Sequence, residues 1–372
     1  MCSQEKGEIL IRRINLMKAK THLEKIERLD MPYLDRLDKV RLDRNERTSN
    51  WPGPLWKEIQ KIITPELIMS YPEIGPLYDK LSIILGVSPK CLLLSHGSDV
   101  ALKTIFEVYI GSGDEALLIS PSYAMYPIYA QMFGAKAVEV GFSDDLSLPF
   151  ENILNAITER TRIVCLPNPN QPIERIFSKE ELGAILKLSQ KKDFLVVIDE
   201  AYHYFYPETV IGLIGQYPNL IVTRSFSKAF GMAGLRAGLI VSNVQRIADL
   251  KKVKPISEIN GVAVKLIEFF LTRMDIVEDY VKEVKLGRKA VTDRAKKLNI
   301  PTHGQAGNSI LLQLKDADTV KSVVDAAAKE GLLLKGPFHY PAVRHLRITL
   351  GPEDLMNKAM DIIERSLNGA KL

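Results

Sequence analysis

Cysteine is scarce: three in 372 residues, with no Cys-x-x-Cys, leave no disulfide framework to read. The expectation is a reducing compartment and a cytoplasmic protein. The six histidines are scattered and form no His-Glu-x-x-His, so no metal site is expected. No apolar run approaches the ~18 residues of a membrane-spanning helix, so no membrane partner is expected. The N-terminus carries no apolar signal segment. Charge of one sign is missing too. Fifty Lys and Arg are interleaved with 45 Asp and Glu, and a formal charge of +5 leaves no nucleic-acid footprint. Neither an internal repeat nor a low-complexity stretch interrupts the chain. What remains is the composition of an ordinary globular protein, 46% hydrophobic and 26% charged.

That length exceeds one compact core of usual size, so a large α/β region with a smaller appendage is expected. Residues 1–48 read as an N-terminal arm, with mixed charges and helically spaced apolar residues from Glu8 to Lys18. Residues 49–265 alternate helical patterns with short apolar runs beginning at Cys91, Ala116, Ala137, Arg162, Phe194, Leu220 and Gly238. Near-continuous apolar runs are the mark of strands buried on both faces of a largely parallel sheet. The βαβ rhythm predicts an α/β/α sandwich, with ligands gathering at the carboxyl ends of the strands. Residues 266–372 read as a smaller α+β domain. It begins with a long charged helix from Val264 to Leu298, and includes Ser309-Ile-Leu-Leu-Gln-Leu, Gly331-Leu-Leu-Leu-Lys335 and His345-Leu-Arg-Ile-Thr-Leu. Gly111-Ser-Gly leads into a strand rather than a helix, so it reads as a turn and not a dinucleotide fingerprint.

Ser225-Phe-Ser-Lys228-Ala-Phe-Gly231-Met-Ala-Gly234-Leu-Arg236 places one lysine among hydroxyls, with an arginine eight positions on. Gly231, Gly234 and Gly238 let the backbone turn tightly and approach a ligand. Such a lysine is suited to forming a Schiff base near a phosphate held by Ser and Arg. Two other readings stand beside it. Ser225-x-x-Lys228 matches the serine-hydrolase Ser-x-x-Lys, though neither Ser-Asp-Asn nor Lys-Thr-Gly occurs in the chain. A non-catalytic α/β binding module would use the same glycine-rich turn without a reactive lysine. Asp199 closes the apolar strand Phe194-Leu-Val-Val-Ile, where a carboxylate is costly unless paired. Ser95-His-Gly97-Ser98-Asp99 follows a strand and opens a helix, which makes an anion site of its backbone N–H groups. Arg347 sits in a short apolar strand and needs a partner. A substrate carboxylate or an internal Asp would serve.

Taken in order from about Leu42 to Asp361, these segments resemble the fold-type I pyridoxal 5′-phosphate (PLP) enzymes, in particular the histidinol-phosphate aminotransferase group. The resemblance implies PLP bound by Lys228, with its phosphate held by Gly97, Ser98, Asp99, Ser225, Ser227 and Arg236. It implies Asp199 at the pyridinium nitrogen, Tyr202 and Gln171 at the phenolic oxygen, and Tyr123 of Ser120-Pro-Ser-Tyr123 stacked on the ring. Tyr71 would reach the cofactor phosphate of a neighbouring subunit, which implies a homodimer with shared active sites. Arg347, Lys335, Asn45 and Asn308 would bind a small-molecule substrate, with Arg47 near its distal anion. The chain departs from the family in four places. Gln171 replaces the second residue of the Asn-Asn pair in Asn-Pro-Asn-Asn-Pro-Thr-Gly, and Ile173-Glu174 replaces the Thr-Gly. Asn45-Glu-Arg47 stands for Asn-Glu-Asn-Pro-Tyr, and Lys335 for an arginine. The expected activity is amino transfer on a small phosphorylated or otherwise anionic substrate with an amino-acid donor. Decarboxylation of a phosphorylated amino acid, as in threonine-phosphate decarboxylase, is the alternative.

Overall fold

The structure, a computed structural model, describes residues 17–24, 26–27 and 35–369. The amphipathic stretch expected from Glu8 lies almost wholly outside them. A short first strand, β1 (Val40–Arg41), precedes the main sheet. All seven expected runs are strands of that sheet: β2 (Leu92–Ser95), β3 (Glu115–Ser120), β4 (Lys136–Gly141), β5 (Thr161–Pro167), β6 (Leu195–Asp199), β7 (Leu220–Ser225) and β8 (Gly238–Ser242). Their order is β2-β8-β7-β6-β5-β3-β4. The pairs from β7 across to β4 are parallel, and β8 runs antiparallel to both its neighbours.

Successive side chains along these strands enter two different cores. Val196 and Ile198 of β6 pack into one, Leu195 and Val197 into the other, and Leu117 and Leu118 of β3 divide in the same way. Period-two alternation with both sides apolar requires cover on both faces. The helix Gly97–Tyr109 contributes Ala101, Leu102, Ile105 and Phe106 to one face. The helix Lys179–Lys192 contributes Leu182, Ile185 and Leu186 to the other. Its start is set by a capping box, in which the Ser178 hydroxyl accepts from the Glu181 N–H and the Glu181 carboxylate accepts from the Ser178 N–H.

The long helix expected from Val264 to Leu298 is two helices, Gly261–Leu271 and Met274–Lys297. The first is apolar nearly all round and buried, while the second is amphipathic. Both contribute buried residues to the same apolar core, and at their junction the Phe269 carbonyl accepts the Thr272 N–H at 3.0 Å and the Thr272 hydroxyl at 2.7 Å. The first helix straddles the 265/266 boundary expected from the sequence.

Beyond it, β9 (Thr302–His303), β10 (Ser309–Gln313) and β12 (His345–Thr349) form an antiparallel sheet in the order β12-β10-β9. The two-residue β11 (Leu332–Leu333) pairs in parallel with β1. The end of the expected arm is therefore knit to the C-terminal part. Thr349 donates its N–H to the Leu42 carbonyl at 2.9 Å, and Leu42 is fully buried. None of the described helices is long and apolar enough to cross a membrane.

Candidate active site

The carboxyl ends of β3, β5, β6 and β7 lie together along one edge of the sheet, at Ser120, Pro167, Asp199 and Ser225. The antiparallel β8 starts there at Gly238, opposite Ser95 of β2 and Ser225 of β7. Above this edge is a cavity of about 990 Å³, whose walls include Lys228, Asp199, Gln171, Tyr202 and Arg347.

Asp199 forms part of its floor and is 6% exposed. One carboxylate oxygen accepts the Tyr126 hydroxyl at 2.7 Å. The other accepts the Thr223 hydroxyl at 2.9 Å and the Ala201 N–H at 3.1 Å. Thr223 is in reach because β7 places it directly beside Asp199. Burial pushes the Asp199 carboxyl above its ordinary range, against the pull of those hydrogen bonds and the more distant Lys228. A carboxylate so placed, with three neutral donors and no ion-pair partner among the described residues, is suited to a cation entering the cavity. Tyr126 and Thr223 are the functional residues that sequence reasoning missed. The one available signal was a threonine inside the apolar run Leu220-Ile-Val-Thr.

The anion cup is assembled by a close approach. Gly238 lies against the start of the helix Gly97–Tyr109, where a Cβ would overlap the backbone of Gly97 and Ser98. Arg236 lies over the bare Cα of Gly97, its terminal nitrogen 2.8 Å from where a Cβ would be. Its other nitrogen donates to the Ala233 carbonyl at 3.1 Å and the Ser227 hydroxyl at 3.4 Å. Ser225 accepts the Ser227 N–H at 3.1 Å, which folds the loop back on the end of β7. Free N–H groups at a helix start, two hydroxyls and a guanidinium suit a phosphate. Asp99 differs from the rest, because its carboxylate accepts the Tyr123 hydroxyl at 2.9 Å and that of Tyr129. Its side chain thus holds the Tyr123 ring at the cavity wall, and burial followed by the Asp99 charge pushes the Tyr123 phenol upward.

Lys228 points its amine to the Arg44 carbonyl at 3.2 Å and lies 5.6 Å from the Tyr202 ring centroid. The Tyr202 hydroxyl accepts from the Asn45 amide at 2.9 Å. Gln171 lines the cavity, but its amide is already engaged. Its oxygen accepts the Ser309 hydroxyl at 2.8 Å and the Asn45 amide at 3.4 Å, and its nitrogen donates to Glu174 at 2.8 Å.

The cations divide into used and unused. Arg36 and Arg41 are paired with Asp43 and Glu46. Arg347 makes no ion pair among the described residues. One of its nitrogens donates to the Asp43 carbonyl at 2.6 Å, its Nε has no partner, and burial lowers its pKa. The Asp43 carboxylate, the internal partner the sequence left open, faces Arg36 and Arg44 instead. Lys335 also lines the cavity and sits opposite Arg347 in an antiparallel bridge. Arg47 reaches the cavity wall, but its stem lies on Gly231 and its guanidinium is 4.2 Å from the Tyr280 ring centroid.

Two expected site residues lie elsewhere. Asn308 is fully buried and outside the cavity lining, and it donates its amide to the Asn45 carbonyl at 3.1 Å. It supports Asn45 from outside the cavity lining. Tyr71 is 87% exposed and not part of this cavity. As a test of fit, the donor set matches a pyridine phosphate. The cup takes the phosphate, the unpaired Asp199 takes a ring cation, and a lysine amine shares the space.

Residues 82–363 match the family model of aminotransferase class I and II. The histidinol-phosphate aminotransferase of Thermoanaerobacter sp. (strain X514) is 32% identical over 286 residues, which cover 76% of this chain and 80% of that protein. That of Caldanaerobacter subterraneus subsp. tengcongensis is 29% identical over 90% of this chain and 94% of its own length. Among solved structures, histidinol-phosphate aminotransferase from Sinorhizobium meliloti in complex with pyridoxal-5′-phosphate superposes with a TM-score of 0.84. The match covers 95% of this chain and 99% of that one at 20% identity, a likeness of fold.

The Gly238 contact yields a direct prediction. Gly238→Ala forces the helix start away from β8, and overpacking of this kind costs about 1–3 kcal/mol. Thermal denaturation should show the loss. Inorganic phosphate should raise the melting temperature of the wild type but not of the variant. Equal stabilisation of both would mean that the cup does not depend on this contact.

Proposed function

The chain belongs to aminotransferase class I and II, and from that premise we propose how its residues divide the work of a PLP-dependent aminotransferase. Lys228 holds the cofactor covalently through its amine. The Gly97–Asp99 helix start, Ser225, Ser227 and Arg236 hold its phosphate. Asp199 pairs with the ring nitrogen, and Tyr123 lies against the ring. When bound, PLP supplies an electron-poor ring that accepts the electron pair released at the substrate α-carbon. Once a substrate amine has displaced it, the Lys228 amine moves the proton at that carbon. Arg347 orients the substrate by its carboxylate, leaving the Cα–H bond free to break.

The observation that carries the substrate reading is the pair Lys335 and Arg347. They face each other across an antiparallel bridge on the cavity wall with no carboxylate partner among the described residues. Like charges directly opposite one another are destabilising unless an anion joins them. We read Arg347 as the carboxylate site and Lys335 as the site for a distal anion, which makes a small phosphorylated amine or amino acid the substrate. The Lys335 ammonium is a point charge rather than a fork, so its site is less selective in geometry than an arginine would be.

A homodimer is part of the same proposal. Tyr71, Ile68 and Met69 are 87%, 69% and 76% exposed in adjacent stretches of chain. Such exposed apolar surface suits a subunit contact that carries Tyr71 toward the partner's cofactor phosphate. Sedimentation equilibrium should find a dimer, and a fully active monomer would contradict it. The free thiols Cys91 and Cys165 suit a cytoplasmic setting.

Activity is tested in two steps. Borohydride treatment of the yellow holoenzyme should fix a pyridoxyl group on Lys228 and nowhere else. Candidate phosphorylated amines should then yield carbonyl products while a keto acid is consumed, with no carbon dioxide released. Lys335→Ala should raise KM for the phosphorylated amine by roughly two- to fivefold, the scale of a solvent-screened pair, since Lys335 is exposed at the cavity rim. It should leave an uncharged analogue unaffected. Carbon dioxide release would make the enzyme a decarboxylase, and absence of a chromophore would end the PLP reading.

A further inference from the structure

We propose that Glu174 is a positioning residue, which fixes the orientation of the Gln171 amide toward the cofactor and ties it to segment 304–309; this rests on the PLP reading above. Glu174 lies in the loop after β5, at a place where the related pattern has glycine. Its side chain is 1% exposed. One oxygen accepts the Gln171 amide at 2.8 Å and the Gly307 N–H at 2.9 Å, and the other accepts the Ala306 N–H at 2.6 Å. Arg288 lies 3.9 Å away and donates to the Gly304 and Gly307 carbonyls at 2.5 and 2.7 Å, holding the same turn from its other side. The turn is shaped around this carboxylate. A Cβ on Gly307 would stand 2.5 Å from a Glu174 oxygen and 2.6 Å from the Gln171 nitrogen.

An ionised carboxylate accepts hydrogen bonds and donates none. The Gln171 nitrogen must therefore face Glu174. Its oxygen faces two donors, the Ser309 hydroxyl at 2.8 Å and the Asn45 amide at 3.4 Å. Inverting the amide would set acceptor against acceptor at Glu174 and donor against donor at Asn45. The Gln171 nitrogen retains one further N–H, and the residue lines the cavity. A glutamine has one more rotatable bond than the asparagine of the related pattern, and holding it costs more side-chain entropy. Glu174 supplies the restraint. Through it, the amide that meets the cofactor's phenolic oxygen is fixed to the turn leading into β10, the strand paired with Arg347 on β12.

The test uses substrate-free holoenzyme and the pH at which the cofactor's visible band changes. A donor lost from the ring oxygen makes that oxygen hold a proton more tightly, so the midpoint rises. Gln171→Ala should raise it by about one pH unit, the size of one charge-assisted hydrogen bond. Glu174→Gln keeps the shape but permits the amide to invert, so it should raise the midpoint by a similar amount. The double variant should move no further than either single one. In Glu174→Ala the Ala306 and Gly307 amides should exchange hydrogen faster, with or without cofactor. An unchanged midpoint in Glu174→Gln overturns the proposal, even with faster exchange, because Glu174 would then be a structural tie only. An unchanged midpoint in Gln171→Ala overturns it as well. Failure of the underlying reading looks different: wild-type protein would carry no chromophore on Lys228, and the proposal would fall with it.

Discussion

A buried carboxylate at the carboxyl end of a central strand is the constraint on which the site depends. Asp199 lies between β5 and β7, nearly buried at the cavity floor, and its three hydrogen-bond donors are neutral. Burial alone pushes the group toward its protonated form. A cationic ring nitrogen in the cavity, as proposed, would reverse that balance, because pairing two buried charges offsets much of the desolvation of each. In the proposed division of roles, the same interaction would keep the ring protonated and so able to withdraw electrons. Tyr126, on the helix Met125–Met132, and Thr223, on β7, hold the carboxylate from two sides. The sheet and its covering helix thus fix the position of one charge.

The remaining parts are placed relative to that charge by close backbone packing. β8 runs against the parallel direction of β7, and this brings Gly238 to the same edge as Asp199 and against the helix start at Gly97. The C-terminal part then closes the cavity from above. It contributes Arg347 and Lys335 directly, and it acts indirectly through Asn308, which supports Asn45, and Ser309, which supports Gln171. Segment 40–48 ties the two sides of this arrangement together. It pairs with β11 through β1 and reaches the cofactor side through Asn45. The left-handed backbone of Asn45, with φ of 55°, is held by bonds to Thr349 and Asn308.

The sheet was legible because its strands are buried on both faces. Runs such as Phe194-Leu-Val-Val-Ile carry the signal in consecutive residues and need no partner to be recognised. The lysine segment was legible for a similar reason, since Ser225, Ser227, Lys228 and Arg236 are close in sequence. What could not be read depends on register and side-chain direction. Tyr126 and Asp199 are 73 residues apart, and nothing local in either marks the pair. Asn308 is polar beside an apolar strand, which suggests a ligand contact as readily as the backbone support it provides. Glu174 looked like a mere departure from a turn pattern, because the turn that receives it lies 132 residues on. The break at Thr272 was hidden because two helices with different burial share an uninterrupted helical spacing.

The most direct measurement is nitrogen NMR of the protein reconstituted with PLP labelled with ¹⁵N in its ring. The account predicts the shift of a protonated pyridine through neutral and mildly alkaline pH in the wild type, and that of an unprotonated one in Asp199→Ala. An unprotonated ring in the wild type at neutral pH would contradict it, as would a protonated ring that survives the loss of Asp199.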